Sequence, residues 1–313
     1  MVRAAAVATG ATAVAGVVWG TGIERFLFTV RAHEVRVLPA GSPALTVLHL
    51  SDAHMAPWQR RKQEWIARIA EEIQPDLIVN TGDNLGHADG LARIRTAFAP
   101  LRGVPGLFVH GSNDVIGPSA RNPLRYFRGP SERSRAAEQL DTRAMDAFFT
   151  DDLGWMDLNN AAASVEVAGV RIDAFGISDA HRDWDDLDAL PGALAALHPH
   201  HLLGRPRPSD LTLGVTHAPY RRVLDRFVDL GADLVLAGHT HGGQVRVPFS
   251  SRALVANCDI PLDQARGLSP WAHGGRTVPL NVSAGLGHSI YAPVRFGCRP
   301  EVSVLTLRAV DSA

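Results

Sequence analysis

The chain has 313 residues, with 31 Lys plus Arg against 32 Asp plus Glu and a formal net charge of -1. That balance excludes the strongly basic surface with which a dedicated nucleic-acid binder neutralises phosphates. Hydrophobic residues make up 46% and charged residues 20%, which excludes a wholly disordered chain, and the 2 cysteines exclude both a disulfide-dense scaffold and a four-cysteine zinc site.

The first thirty residues read as a separate object. From Ala4 to Gly22 the chain carries no charge, and as a helix that stretch would span about 28 Å, close to the thickness of a bilayer core. Residues 1–30 are therefore expected to form a single N-terminal membrane anchor or an uncleaved signal-like segment, with the protein at the cell membrane. The Ala-, Gly- and Thr-rich composition leaves a soluble helix packed on the following domain as the alternative. Arg25 and Arg31 after the run, against Arg3 before it, favour a cytoplasmic catalytic domain.

From residue 44 to 308 the pattern predicts alternating strands and helices in one domain. Leu45 to Leu50 is a β-type run ending at Ser51-Asp52. Trp65, Ile66, Ile69, Ala70 and Ile73 recur at three- and four-residue steps and share one face of a helix from Arg60 to Ile73, stopped by Pro75. Leu77 to Thr81 is the next strand and ends at Gly82-Asp83-Asn84. Leu91, Ile94, Phe98 and Leu101 mark a second helix, and Leu107 to His110 a third strand ending at Gly111-Ser112-Asn113-Asp114. Pro118, Pro123, Gly129 and Pro130 suggest a surface excursion before a helix over 134–149. Ser164–Val167 and Val170–Ala174 flank Ala168-Gly169 as a hairpin. Leu211 to Thr216 is a strand ending at His217, followed by a helix from Tyr220 to Leu230. A strand from Asp233 to Ala237 then ends at Gly238-His239-Thr240-His241. Val245–Val247, Val278–Ser283 and Val302–Leu307 read as late strands. Parallel units first and a meander later predict two mixed sheets packed together with helices outside.

Metal-type residues stand at the ends of these strands, where open α/β sheets gather ligands. Asp52 and His54, two residues apart, can turn toward one point as the chain leaves its strand. Asp83 ends a second strand, His217 another, and His239 and His241 sit among glycines that permit tight turns. Two carboxylates and four imidazoles suffice for two metals sharing one carboxylate, and this mixture suits Mn, Fe, Zn or Co rather than Ca.

Taken together, Asp52-x-His54, Gly82-Asp83, Gly111-Ser-Asn-Asp114, His217 and Gly238-His-Thr-His241 resemble the signature of the calcineurin-like metallophosphoesterases. The run Gly238 to Pro248, with Gly285-Leu-Gly287, Pro293 to Gly297 and Arg299-Pro-Glu301, is similar to the membrane-associated bacterial branch. The resemblance implies a four-layer α/β sandwich and a dinuclear centre of divalent transition-metal ions. Residue for residue, it implies that Asp52, His54 and His241 hold one ion, that Asp83 bridges, and that His217 and His239 belong to the second. It implies hydrolysis of a phosphate ester, whether mono- or diester, and with the N-terminal segment a lipid-linked or envelope substrate.

One motif departs. The family has Gly-Asn-His-Asp/Glu where this chain has Gly111-Ser112-Asn113-Asp114. In strict register Ser112 falls on the ligand position and Asn113 on the histidine position, beside Asp114; with a one-residue shift Asn113 becomes the ligand. In both registers the imidazole that assists the leaving group is missing, because neutral Asn cannot act as a general acid. His110, His87 and His288 are candidate substitutes. The departure also raises a second reading, a metal-binding protein with a degraded catalytic site that acts in binding or regulation. Cys258 and Cys298 are expected to pair only in an exported domain.

Overall fold

Apolar strands too short to stand alone, and buried on both faces, determine the architecture. The structure is a computed structural model that describes residues 14–117, 139–198, 209–247 and 252–311. Its strands are β1 Thr29–Leu38, β2 Leu45–Leu50, β3 Leu77–Asn80, β4 Gly106–Phe108, β5 Met156–Asp157, β6 Ala161–Val167, β7 Val170–Gly176, β8 Leu211–Thr216, β9 Leu234–Ala237, β10 Gly267–His273, β11 Arg276–Val282 and β12 Glu301–Ala309. They form two six-stranded sheets, ordered β1-β12-β2-β3-β4-β5 and β10-β11-β9-β8-β7-β6. Both are mixed. β2, β3, β4 and β5 run parallel, as do β7, β8, β9 and β11, while β12 opposes β2 and the β10–β11 and β6–β7 pairs are antiparallel.

β3, β8 and β9 are buried along their whole length, as expected of parallel strands covered on both sides. Between the sheets lies one apolar cluster that includes Val47, Val79, Ile172, Leu213, Leu236 and Leu305. Outside the first sheet the helix Arg60–Ile73 presses Ile66, Ile69 and Ala70 toward Leu48, Ile78 and Phe108, joined by Ile94 and Phe98 of the helix Leu91–Phe98. Outside the second, the helix Arg221–Asp229 buries Val223, Leu224, Phe227 and Val228 against Phe175, Val235 and Leu280. The result is helix, sheet, sheet, helix: the four-layer sandwich the sequence predicts.

Several particulars differ from the sequence expectations. β1 lies upstream of residue 44 and pairs in parallel with β12 from Thr29 to Leu38, so the sheet begins before the expected domain start. β5 and β10 were also unforeseen. Val245 and Arg246 form only isolated bridges, to Phe296 and Ala253, rather than a strand. The helix expected over 134–149 is described from Thr142–Ala147, continuing as a π-turn at Phe148–Asp152; Pro118, Pro123, Gly129, Pro130, His200, His201 and Pro248 lie outside the described residues. Of the charge-free N-terminal run, 4–13 likewise lies outside them. No helix among the described residues is long and apolar enough to cross a membrane.

Candidate metal centre

The C-terminal ends of β2, β3, β8 and β9 meet at one edge of the sandwich, and the residues just beyond them carry the polar groups. Asp52, His54, Asp83, His239 and His241 leave their strands with left-handed backbone, at φ of 48°, 40°, 53°, 68° and 50°. Such conformations are strained for non-glycine residues and persist only where surrounding structure enforces them. Close backbone approach does so here: a Cβ on Gly238 would lie 2.0 Å from Ser51 Oγ, and one on Gly111 would lie 2.1 Å from Asp83 Oδ1. These two positions require glycine.

Two groups of nitrogen and oxygen atoms converge. In the first, His54 Nε2 stands 3.2 Å from His241 Nε2, and Asp52 Oδ1 is 3.9 Å from the former and 3.5 Å from the latter. In the second, His217 Nε2 is 3.3 Å from His239 Nδ1. Asp83 Oδ2 joins the groups, 3.4 Å from His54 Nε2 and 3.5 Å from His217 Nε2. Asp52, His54 and His241, and equally Asp52, Asp83 and His217, present ligand atoms within 4.8 Å of one another. Asp52 Oδ1 is buried without a hydrogen-bond partner. An unpartnered buried carboxylate oxygen is costly, and facing two imidazole nitrogens it fits a cation between them.

The remaining atoms of these side chains are tied down. Asp52 Oδ2 accepts from Ser51 Oγ at 2.5 Å and from the His239 amide at 3.0 Å. Behind Ser51 runs a directed chain: Asn281 Nδ2 donates to His49 Nδ1 (2.9 Å), His49 Nε2 to Thr81 Oγ1 (3.0 Å), and Thr81 Oγ1 to Ser51 Oγ (2.7 Å). Burial pushes His49 down to about 3, which keeps it neutral for this relay. His217 Nδ1 donates to the Thr81 carbonyl at 2.7 Å, His241 Nδ1 to that of Gly287 at 3.2 Å, and His239 Nε2 to that of Asn257 at 3.2 Å. Each donation fixes a tautomer whose other nitrogen faces the cluster, the usual support of a metal-binding imidazole.

Electrostatics agree with the geometry. Burial pushes His54 down to about 4, and burial with a neighbouring imidazole holds His239 and His241 well below the ordinary range, so all three are neutral donors. Burial raises Asp52 to about 6. Burial works against charge on Asp83 and His217 too, but their mutual attraction wins: the carboxyl is held well below the usual range and the imidazole well above it. A cation bound there would displace a proton from His217.

The departing loop resolves into separate roles. Asn113 directs its side-chain Nδ2 to Asp83 Oδ2 at 2.6 Å and its backbone N to Asp83 Oδ1 at 2.9 Å, so its amide lies among the clustered atoms. Ser112 turns its backbone N to Asp179 Oδ2 at 2.9 Å. Asp114, fully buried, accepts from Asn84 N, Leu85 N and Gly111 N at 2.6, 3.1 and 3.1 Å; it ties two strand-end loops together. Among the suggested substitute histidines, His110 is held by Asp146 at 2.6 Å and lies 3.6 Å from Asp114, which raise it to about 10 against the effect of burial. His87 caps a turn by accepting from Asp89 N, and buried His288 contacts the Ser289 carbonyl. Cys258 and Cys298 are both free.

Sequence reasoning missed Asp179 and His181. Asp179 is buried, accepts from the amides of Ser112 and His181, and is raised by burial. The His181 ring lies 4.4 Å from that of His239, and its Nδ1 is 2.8 Å from the Tyr220 hydroxyl. Both follow β7, another strand end at this edge, and that position was the available signal.

The family model for calcineurin-like phosphoesterase matches residues 45–243. A Bacillus subtilis (strain 168) protein named uncharacterized metallophosphoesterase YkoQ is 24% identical over 84% of this chain and 84% of its own length. A second from the same organism, uncharacterized metallophosphoesterase YkuE, is 22% identical over 98% of this chain and 95% of its own. A Bos taurus transmembrane protein with metallophosphoesterase domain is 27% identical over 88% of this chain and 55% of its own. Among solved structures, a 5'-nucleotidase precursor from Thermus thermophilus aligns with TM-score 0.45 and 13% identity, covering 84% of this chain and 55% of that one.

Proposed function

The chain belongs to the calcineurin-like phosphoesterase family, and from that premise we propose that it hydrolyses a phosphate ester with a dinuclear metal centre. The observation that carries the reading is Asp83 Oδ2, which stands between the His54 and His217 nitrogens and joins two groups of candidate ligands. In this reading Asp52, His54 and His241 hold one ion, His217 and His239 the other, and Asp83 both. Asn113, rather than Ser112, is assigned to the second ion, which its side-chain carbonyl would hold, because its side chain lies against Asp83 and donates from Nδ2 to Oδ2. Mn, Fe, Zn and Co suit the donor set. Bound divalent ions would supply Lewis-acid stabilisation of charge on the phosphoryl oxygens and a water of lowered pKa. The chain's own part is to hold His54, His239 and His241 neutral beside two carboxylates, so that two divalent ions would leave net positive charge for an anionic substrate.

Asn113 contributes hydrogen bonds but no proton. His110 is engaged by two carboxylates, which supports a site without a general acid at that loop. General acid catalysis contributes about 10²–10⁴-fold, so hydrolysis should favour acidic leaving groups such as nitrophenols over alkyl alcohols. The charge-free run from Ala4 and the bovine relative's printed name are the grounds for proposing a membrane location, and a lipid-linked substrate is proposed from that location alone. The catalytic unit is proposed to begin near Trp19 rather than at residue 44. The test is a screen of Mn²⁺-loaded protein against aryl phosphomonoesters and diesters, with elemental analysis. Two ions and turnover are expected; two ions with no turnover of any ester would favour a binding or regulatory protein.

A further inference from the structure

Arg295 is fully buried, yet its guanidinium donates to backbone carbonyls rather than to a carboxylate. It reaches Ala284 O at 2.8 Å, Gly285 O at 3.2 Å, His241 O at 3.0 Å and Gly287 O. The Gly287 carbonyl also accepts from His241 Nδ1. Arg295 therefore holds both the backbone of His241 and the carbonyl that selects its tautomer. A buried guanidinium costs several kcal/mol to desolvate, and here that cost is offset by the loops it holds, with Arg295 Nη2 also 3.3 Å from His241 Nδ1.

The segment carrying Arg295 is latched in turn by the N-terminal turn. Arg295 N donates to Gly20 O at 3.0 Å. A Cβ on Gly20 would lie 3.0 Å from Arg295 O and from Val294 Cγ2, so the two backbones meet at glycine distance. Glu24, 5% exposed, accepts from Gly297 N at 3.0 Å, from Cys298 N at 2.7 Å and from Trp19 Nε1 at 2.6 Å. The contacts form a continuous path from Trp19 and Glu24 through 294–298 to Arg295, Gly287 O and His241.

We propose that Glu24 and Arg295 are positioning residues for His241, so that the N-terminal turn sets the affinity of the ion held by Asp52, His54 and His241. The inference rests on the reading of His241 as a ligand. Loss of such outer support costs 10–100-fold in metal affinity, and it should fall on one ion only, because His217 and His239 are held through Thr81 and Asn257 instead.

The experiment is Co²⁺ titration of the full chain, followed by visible absorption and elemental analysis, on wild type, Glu24→Gln, Arg295→Lys and Trp19→Phe. Circular dichroism confirms folding. Wild type should bind two ions. Glu24→Gln and Arg295→Lys should weaken one by roughly 10–100-fold and leave the other unchanged. Trp19→Phe, which removes only the outermost donor, should weaken the same ion by less, and it stands as the test if the other two fail to fold. Generic destabilisation would move both ions together, and that result overturns the proposal. Two ions at wild-type affinity in every folded variant also overturn it while leaving the dinuclear reading intact. Wild type that binds no ion overturns both.

Discussion

Replacement of Asn113 discriminates most sharply between the two registers of its loop. Its side chain makes one charge-assisted hydrogen bond, 2.6 Å to Asp83 Oδ2, while its backbone N separately holds Asp83 Oδ1. Asn113→Ala removes the first and keeps the second. A hydrogen bond to a charged group contributes about 1.5–3 kcal/mol, or roughly 10–150-fold in a binding constant. Because Asp83 is read as shared, that loss should weaken both ions, and more strongly the one proposed for His217 and His239, which Asn113 would also hold. Asn113→His tests the point from the other side. In strict family register an imidazole here restores proton donation and raises activity on alkyl esters. With the amide where it lies, the larger ring displaces the contact to Asp83, so the variant should lose one ion and gain no alkyl-ester activity. Elemental stoichiometry and rates over a series of aryl and alkyl esters decide between them. An Asn113→His protein with two ions and improved alkyl-ester turnover would refute the placement of Asn113 argued above.

Three other outcomes follow from the contacts. Asp83→Ala should abolish binding of both ions while His54→Ala weakens mainly one, since Asp83 Oδ2 stands against both His54 and His217; metal titration checks this. His110 is raised to about 10 by Asp114 and Asp146, above the roughly 6.5 of an unfolded His. Its contribution is therefore complete below about pH 6.5 and is lost as pH rises toward about 10. Urea melts of wild type and His110→Gln should differ by a few kcal/mol, on the order of the shift, near neutrality and converge at alkaline pH. A chain starting at Arg36 strips most of β1 from β12 and should melt lower than the full chain or aggregate.

The strands that end at Asp52, Asp83, His217 and His239 were legible because each is a short apolar run stopped by glycine and polar residues, and burial on both faces demands that composition. β1 was not read as a strand, although Thr29 to Leu38 alternates in burial. Its outer face carries Arg and Glu, and an edge strand needs only one apolar side. Val245–Val247 misled in the opposite direction: β-branched residues suggested pairing, but the chain there is occupied by the turn at Gly243 and by contacts to Phe296. The ligand types were visible from spacing, whereas Asp179, His181 and Glu24 carry no motif of their own, and Arg295 was seen only as part of the run Pro293 to Gly297, without a role. Their roles come from contacts between segments far apart in sequence. The register of Asn113 likewise depends on where Asp83 points, which spacing alone does not determine.

Asp52, His54 and Asp83 belong to one sheet, and His217, His239 and His241 to the other. An ion bound among them acts as a rivet through the seam. By linkage, free metal at a thousand times its dissociation constant adds about 4 kcal/mol to the folded state for each site, and that energy resists separation of the two layers in particular. Chelation should therefore loosen the molecule unevenly. Amide exchange should quicken first where β2 and β3 face β8 and β9, and the helices on the outer faces should follow later. In the dinuclear reading each ion draws ligands from both sheets, so metal content should report on whether the two sheets have closed on each other.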